Sequence, residues 1–267
     1  MSRKYIFFAL VVIIVAVCLV VYLNKEQTVG CHFKAHMTAF NEIKQNPDQW
    51  EDVLSKYSVS ECTGGYLMGV LEGRKAFDPS FKLDSKTSVA TCKSLEKNSS
   101  AKKTEMTCMH TMGHLFLTEK KGDLDQALKI CSQVPGKHIS ECYAGVFMES
   151  IYKLNLHAHN LAEIGAWNSD DVKKQIIICN SYLGKRTQAC WREISHMLVH
   201  LTNRDSEEIH RLCGQAKNLE ARDECYIHSV AILTLTSTNQ QDLCQKYADK
   251  RNLLLRCESV IKNNSLD

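Results

Sequence analysis

The sequence predicts an all-α protein in which a single N-terminal transmembrane helix precedes an αα-hairpin repeat solenoid cross-linked by disulfides. Three observations lead to this fold class. Residues 5–23 carry no charge and are nearly all apolar. Twelve of the thirteen cysteines follow that run and recur at similar spacings. Only three prolines occur, and the chain lacks the alternating valine- and isoleucine-rich runs that favour strands.

The N-terminal apolar run has the length of a membrane-spanning helix. Residues 5–23 approach the roughly twenty residues that cross a bilayer. The run is longer than the apolar core of about 7–15 residues in a cleavable signal peptide, and no convincing cleavage site follows it. Arg3 and Lys4 precede the run, which places a tip of residues 1–4 in the cytoplasm. We therefore expect an uncleaved signal-anchor, a linker over 24–30 and an extracytoplasmic cysteine-rich helical-repeat domain over 31–267.

The cysteine count indicates an oxidising compartment. Cys18 lies within the apolar run, which leaves an even number of cysteines beyond it. Paired thiols outside the cytoplasm form disulfides, so the expected location is the periplasm of a bacterium or the lumen or cell surface of a eukaryote. Zinc and iron–sulfur sites usually use cysteines two to four residues apart, and no such pair occurs. Disulfides are therefore the favoured interpretation.

The stretch from Asp123 to Met148 is typical of one helical hairpin with a cysteine in each arm. Asp123 is a suitable helix cap, and apolar residues then follow at helical spacing as far as Cys131. The dipeptide at 135–136, proline then glycine, interrupts the first arm. The second arm contains Cys142 and again has helical period. Antiparallel arms bring the two cysteines opposite each other.

Five such units follow one another, each with one cysteine per arm. Their first cysteines lie roughly 30–50 residues apart, a period typical of solenoids built from paired helices. The predicted disulfides within hairpins are Cys92–Cys108, Cys131–Cys142, Cys179–Cys190, Cys213–Cys225 and Cys244–Cys257. Cys31 and Cys62 remain, and we pair them with each other by elimination.

This arrangement of paired helices with one disulfide per hairpin resembles the Sel1-like repeats of secreted bacterial proteins, which are related to the tetratricopeptide class. The resemblance covers the extracytoplasmic domain at the level of layout. The Sel1-like family spaces its cysteines more closely, and its alanine and glycine pattern is not reproduced here. The resemblance therefore implies a solenoid architecture and transfers no functional residue.

Each second arm has a core face and a second, more polar line of residues. Counted from the arm's cysteine, offsets one, four, five, eight and nine are mostly apolar and predict the buried face. Offsets two, six and ten form what we call the polar stripe. Its members are Gly64, Met68 and Glu72; His110, His114 and Thr118; Ala144, Met148 and Tyr152; and Arg192, His196 and His200.

Histidines in the second arms pair at a spacing of four, one helical turn apart. The pairs are His32/His36, His110/His114 and His196/His200. Two histidines so spaced can hold one metal ion, and a neighbouring methionine suits copper. These residues therefore carry an alternative prediction of a copper, zinc or haem site. The other interpretation is that the stripe is buried between repeats, where histidine and methionine fill space. His138 is expected on a loop or at the surface.

The functional expectation is a non-enzymatic scaffold that binds a protein partner outside the cytoplasm. No nucleophile elbow, phosphate-binding glycine loop or dinucleotide fingerprint occurs, and we expect no cofactor. A net charge of +3 gives no reason to expect nucleic acid. The residues predicted to contact the partner are the stripe members Met68, Glu72, Met148, Tyr152 and Arg192. Metal or haem binding through the stripe histidines is the alternative function.

Overall fold

A computed structural model describes residues 34–56, 63–98, 104–136, 138–152, 168–234, 244–245 and 251–264. Over these ranges the chain is helical and contains no strand, which confirms the predicted all-α class. No helix among the described residues is sufficiently long and apolar to cross a membrane. The predicted tip, anchor and linker, residues 1–4, 5–23 and 24–30, lie outside the described ranges and stay predictions.

The chain divides into two compact units. The first comprises Met1–Lys82 together with Lys97–Ala101, and the second comprises Leu83–Glu96 together with Lys102–Asp267. Among the described residues, five of the predicted disulfides belong to the second unit. Cys31 and Cys62 lie outside the described ranges, so their pairing stays a prediction.

The first unit is built from three α-helices in its described part. Helix α1 spans residues 34–45, a 3-10 turn at Pro47–Gln49 leads into α2 (Trp50–Ser55), and α3 spans Thr63–Phe77. Its core includes Ile43, Leu67 and Leu71, all fully buried. Gly73 allows α3 to approach α1 closely, because a Cβ at this position would lie 2.7 Å from Cβ of Ile43.

The second unit consists of helical hairpins. Its first helix pair is α4 (Ser85–Asn98) and α5 (Thr104–Glu119). The next pairs are α6 (Leu124–Cys131) with α7 (Ile139–Tyr152), α8 (Ser169–Ser181) with α9 (Lys185–Leu201), and α10 (Ser206–Cys213) with α11 (Leu219–Thr234). The last described helix is α12 (Arg251–Asn264).

Successive hairpins stack through their second helices. Helix α5 packs on α7, α7 on α9, α9 on α11, and α11 on α12. The first helices α6, α8 and α10 pack against the second helices of their own hairpins. This row of second helices is compatible with a helical-repeat layout, in which each hairpin buries its apolar side on its neighbour.

A disulfide joins the two arms of each hairpin. The observed bonds are Cys92–Cys108, Cys131–Cys142, Cys179–Cys190, Cys213–Cys225 and Cys244–Cys257. Their Cα–Cα distances of 5.3–5.8 Å are typical of disulfides between facing backbones. Asp123 caps α6 as expected, since its Oδ1 accepts a hydrogen bond of 3.0 Å from the backbone N–H of Gln126.

Candidate functional site: the polar stripe of the second helices

The apolar face of each second helix is buried, as its period predicts. The polar stripe lies on an adjoining face and is unevenly buried: its members Met68, Glu72, His114 and Ala144 are buried. The fully buried large side chains of α5, α7 and α9 are Met109, Met112, Leu115, Phe116, Phe147, Trp191 and Ile194. By contrast, His110, Met148, Arg192 and His196 of the stripe are only partly buried. The core thus fixes the helices, and the stripe remains partly open.

Helices α5 and α7 cross with their backbones in contact. A Cβ on Gly145 would collide with the carbonyl oxygen of His110, and a Cβ on Gly113 would collide with that of Cys142. Only glycine fits at both positions because the two helices leave no room for a side chain between them. The close crossing brings the stripe residues of α5 within reach of those on α7.

Two side-chain pairs join α5 and α7 along the stripe. His110 Nε2 lies 3.2 Å from Met148 Sδ, and His114 Nδ1 lies 3.0 Å from Glu149 Oε2. The rings of His110 and His114 are 5.0 Å apart and nearly edge to face. His114 and Glu149 are both buried, so their contact satisfies two polar groups that water does not reach. Two consecutive residues of α7, Met148 and Glu149, therefore contact two histidines that lie one turn apart on α5.

Arg192 links α7 to α9 through two carboxylates. Its Nη1 and Nη2 each donate a hydrogen bond of 2.9 Å to Glu141, and its Nε donates one of 2.9 Å to Glu193. Burial by itself would lower the pKa of Arg192, but Glu193 and Glu141 outweigh it and hold the pKa above its ordinary value. Burial likewise raises the pKa of Glu141, and the hydrogen bonds and charge of Arg192 reverse that shift. All three groups are therefore charged at neutral pH.

His110 is held neutral by its surroundings. Burial, together with the neighbouring His114, lowers its pKa from 6.5 to about 4, against the opposing charge of Glu193. Burial would raise the pKa of Glu193, but the charge of Arg192 outweighs it, so the pKa lies below its ordinary value. The stripe on α5, α7 and α9 is thus one electrostatically connected cluster.

The remaining predicted site residues fall in several places. Met68 and Glu72 are buried in the first unit, where Glu72 Oε2 lies 2.7 Å from His36 Nε2. His32 lies outside the described ranges, and nothing is described for the side chains of Tyr152 and His200. His138 occupies a turn, as expected, but it is buried and its Nε2 lies 2.8 Å from Glu105 Oε1. The imidazole of His138 is therefore buried within this turn beside a carboxylate of α5.

Among the described residues, no group of three or more histidine, cysteine, aspartate or glutamate side chains is arranged to hold a metal ion. The pair His110/His114 instead faces Met148 and Glu149 on α7. The second candidate pair involves His200, whose side chain is not described. The described part of the stripe is therefore organised by contacts between helices.

Sequence reasoning missed the carboxylates that complete the cluster. Glutamate directly precedes the second-arm cysteine in two units, at Glu141 and Glu224, and it also precedes Cys62, at Glu61. Glu141 binds Arg192 of the next hairpin, and Glu224 binds Arg256 on α12 at 2.5 Å. Burial would raise the pKa of Glu224, but His228, whose Nε2 lies 3.6 Å from Oε2, and Arg256 outweigh it and lower the pKa to about 2. This recurring glutamate is the sequence signal that predicts ion pairs between hairpins.

Comparison with protein-family models, with curated proteins and with solved structures finds no match to this chain.

Proposed function

We propose that the protein is a membrane-anchored, extracytoplasmic helical-repeat scaffold that binds a protein partner through the polar stripe. One observation carries the proposal. Partly buried His110, Met148, Arg192 and His196 lie on three second helices that pack in succession. They present imidazole, thioether and guanidinium groups without forming a recognisable catalytic arrangement. The proposed role is therefore binding, and no reaction is assigned to the stripe.

The chemistry of the stripe suits a protein interface. Arginine and methionine are enriched at protein–protein interfaces, and methionine adapts to irregular surfaces. Arg192 is fixed by three hydrogen bonds to Glu141 and Glu193, so little conformational entropy is lost when a partner packs against it. The disulfide in each hairpin keeps the helices that carry these groups aligned with their own first arms.

The compartment part of the proposal is supported by the disulfides. Five are present among the described residues, and stable disulfides belong to oxidising compartments. Residues 5–23 supply the proposed anchor, with Arg3 and Lys4 on its cytoplasmic side. We expect protease added outside the cytoplasmic membrane to remove the chain beyond Lys25. A protected C-terminal region, detected by an antibody to that region, would reverse this topology.

A photo-crosslinker on the stripe tests the scaffold proposal. We would replace Met148 in the full-length chain by a diazirine-bearing amino acid of similar size and irradiate cells that express the variant. The expected result is one dominant covalent adduct with another protein, identified by mass spectrometry. The matched control carries the same group at Lys173, which is 73% exposed on α8 and lies off the stripe.

A variant of the stripe links the adduct to this surface. Thr118 is partly buried on α5, and its hydroxyl donates only to the carbonyl oxygen of His114 in its own helix. Thr118→Glu therefore changes the stripe without breaking an ion pair, and it should reduce the adduct formed from position 148. Equal adducts from positions 148 and 173, or an adduct indifferent to Thr118→Glu, would refute the proposal.

Metal or haem binding is the second candidate, and one contact favours it. The neutral imidazole of His110 lies 3.2 Å from the thioether of Met148, and Cu(I) prefers soft ligands of this kind. Elemental analysis and absorption spectra of the purified protein test this candidate. Stoichiometric copper, zinc or haem that is lost in the double variant His110→Ala, His114→Ala would replace the scaffold proposal.

A further inference from the structure

The turn between α8 and α9 forms one side of a surface pocket of about 500 Å³. Its other lining residues lie in the first two turns of α7, in the preceding hairpin. The pocket is lined by Ile139, Tyr143, Ser181, Tyr182, Leu183, Lys185 and Arg186. None of these residues belongs to the polar stripe. The pocket is thus a separate feature between two successive hairpins of the second unit.

The pocket has an apolar rim exposed to solvent. Leu183 is 85% exposed in the turn, and Ile177 is 69% exposed one helical turn before the pocket residue Ser181. Tyr143, by contrast, is buried and contributes an aromatic wall. A single exposed leucine needs no explanation. Here the exposed Leu183 lines a concave space that also has aromatic walls, and such spaces accept side chains of a ligand.

Contacts between the two hairpins hold the pocket open in a fixed form. The Tyr182 hydroxyl donates a hydrogen bond of 3.1 Å to Asp125 Oδ1, and its ring meets that of Phe147 edge to face at 5.4 Å. Lys185 Nζ donates a hydrogen bond of 2.9 Å to the carbonyl oxygen of Gly136. Each wall is tied to the other, so a ligand would meet a preformed site.

The charged groups that line the pocket are both cations. Lys185 uses one of its three N–H donors on Gly136, and the Arg186 guanidinium lies 5.5 Å from the ring centroid of Tyr143. The carboxylate of Asp125 accepts a hydrogen bond from Tyr182 and is not a lining group of the pocket. Burial and this hydrogen bond raise the pKa of Tyr182 to about 12, so the tyrosine stays neutral. The pocket therefore combines positive charge with apolar and aromatic walls.

We propose that this pocket docks a segment of the protein partner in which an acidic residue stands next to a large apolar side chain. The apolar side chain enters between Tyr143 and Leu183, and the carboxylate binds Arg186 and Lys185. The inference rests on the proposed scaffold function and adds the chemistry of the partner. Two cations with an apolar wall fit a peptide better than nucleic acid, whose binding needs a broader basic surface. A concave wall also fits an inserted side chain better than a flat lipid surface.

Peptide selection on the full-length protein tests the inference. We would embed the protein in nanodiscs of neutral phosphatidylcholine and select from a phage library of random heptapeptides. The expected result is enrichment of aspartate or glutamate adjacent to phenylalanine, leucine or tyrosine. A selected peptide is then labelled, and its dissociation constant is measured by fluorescence polarisation.

Three variants locate the binding. Leu183→Ser and Arg186→Gln are each expected to raise the dissociation constant of the peptide by about tenfold. The first variant loses one apolar contact, and the second loses one charge-assisted hydrogen bond. Leu255→Ser is the matched control, because Leu255 is also an exposed leucine, at 54%, but lies on α12. Circular dichroism melting curves establish that each variant is folded. Equal affinity in Leu183→Ser and the control would overturn the inference.

Other outcomes separate this inference from its alternatives. Enrichment of basic or purely polar peptides would overturn it. Leu183-dependent sedimentation with phosphatidylserine vesicles, without peptide enrichment, would assign the turn to a membrane surface and also overturn it. If no acidic–apolar motif emerges while position 148 still crosslinks to a partner, the pocket inference fails and the scaffold proposal stands. If an acidic–apolar motif is selected but position 148 forms no adduct, binding at the pocket stands and binding through the polar stripe fails.

Discussion

At the scale of single residues, the polar groups in and beside the stripe are stabilised by specific partners. Glu193 is buried, and His110 and Arg192 are partly buried between helices, so each needs a partner of suitable charge or hydrogen-bonding type. Arg192 receives two carboxylates, and His110 avoids the cost of a buried charge by remaining neutral. The protonation state of His110 is therefore linked to folding.

The first prediction concerns the pH dependence of stability. The pKa of His110 is about 4 in the folded protein, against 6.5 for the unperturbed group. Because the unfolded chain binds this proton more readily, the unfolding free energy should fall as the pH drops from 6.5 towards 4. The variant His110→Gln lacks the titrating group. Its unfolding free energy should therefore fall by about 1–3 kcal/mol less than that of the wild type over the same pH interval. Urea unfolding at several pH values measures both, and parallel pH profiles would contradict the prediction.

The second prediction concerns the ion pair between α7 and α9. Arg192→Met leaves the buried Glu193 and the partly buried Glu141 without their cation, so we expect a loss of about 2–3 kcal/mol in unfolding free energy. Lys173→Met removes an exposed ion pair with Asp170, 3.1 Å long, and should change stability by under about 0.5 kcal/mol. Thermal or urea denaturation distinguishes the two variants. A similar small effect of both would show that Arg192 is not structural.

At the scale of helices, close crossing decides which side chains meet. Helices α5 and α7 have glycine at the point of contact, with Gly145 beneath the carbonyl oxygen of His110. In the first unit, α3 uses Gly69 and Gly73 against α1 in the same way, and a buried pair, His36 with Glu72, lies beside that crossing. Small residues at helix contacts therefore place histidine and glutamate of neighbouring helices within hydrogen-bonding distance.

The third prediction follows from the crossing of α5 and α7. Gly145→Ala introduces a methyl group against backbone atoms that cannot move independently, so we expect a loss of about 1–3 kcal/mol despite the better helix propensity of alanine. Gly136→Ala is the control, because a Cβ there has no atom within 4 Å. Urea midpoints measure the difference. Equal stability of the two variants would mean that the helices are not in backbone contact.

At the scale of the whole molecule, disulfides supplement the core. Each of the five described disulfides joins cysteines that are 11–16 positions apart in one hairpin. Among the described helices, the largest contacts of each second helix are with the second helices of the adjacent hairpins, and a solenoid of this kind is stabilised locally. Loss of one disulfide should destabilise its own hairpin most strongly.

The fourth prediction concerns the contribution of one such disulfide to stability. Replacement of Cys179 and Cys190 together by alanine should lower the unfolding free energy by about 3 kcal/mol through the unfolded chain. Peptide mapping of the unreduced wild type should find these two cysteines linked, as well as Cys131 with Cys142. Free thiols at these positions would contradict the assigned bonds. Hydrogen exchange would show whether the loss is confined to α8 and α9.

Sequence alone determined the features that depend on local spacing. The helical period identified the buried face of each second arm, and the cysteine spacing gave the five hairpin disulfides, because both are fixed within one helical hairpin. The histidine pairs were visible for the same reason. Their interpretation as metal ligands or as packing residues could not follow from spacing, since it depends on which groups face them.

Only the tertiary structure decided what the stripe residues contact. His110 meets Met148 across 38 positions, and Arg192 meets Glu141 across 51. Such pairs depend on the relative position of neighbouring helices, which glycine contacts and buried apolar groups set together. The pocket at Leu183 likewise arises from two hairpins and has no signature within either one. Local periodicity therefore specified the hairpins, and packing between hairpins specified the candidate sites.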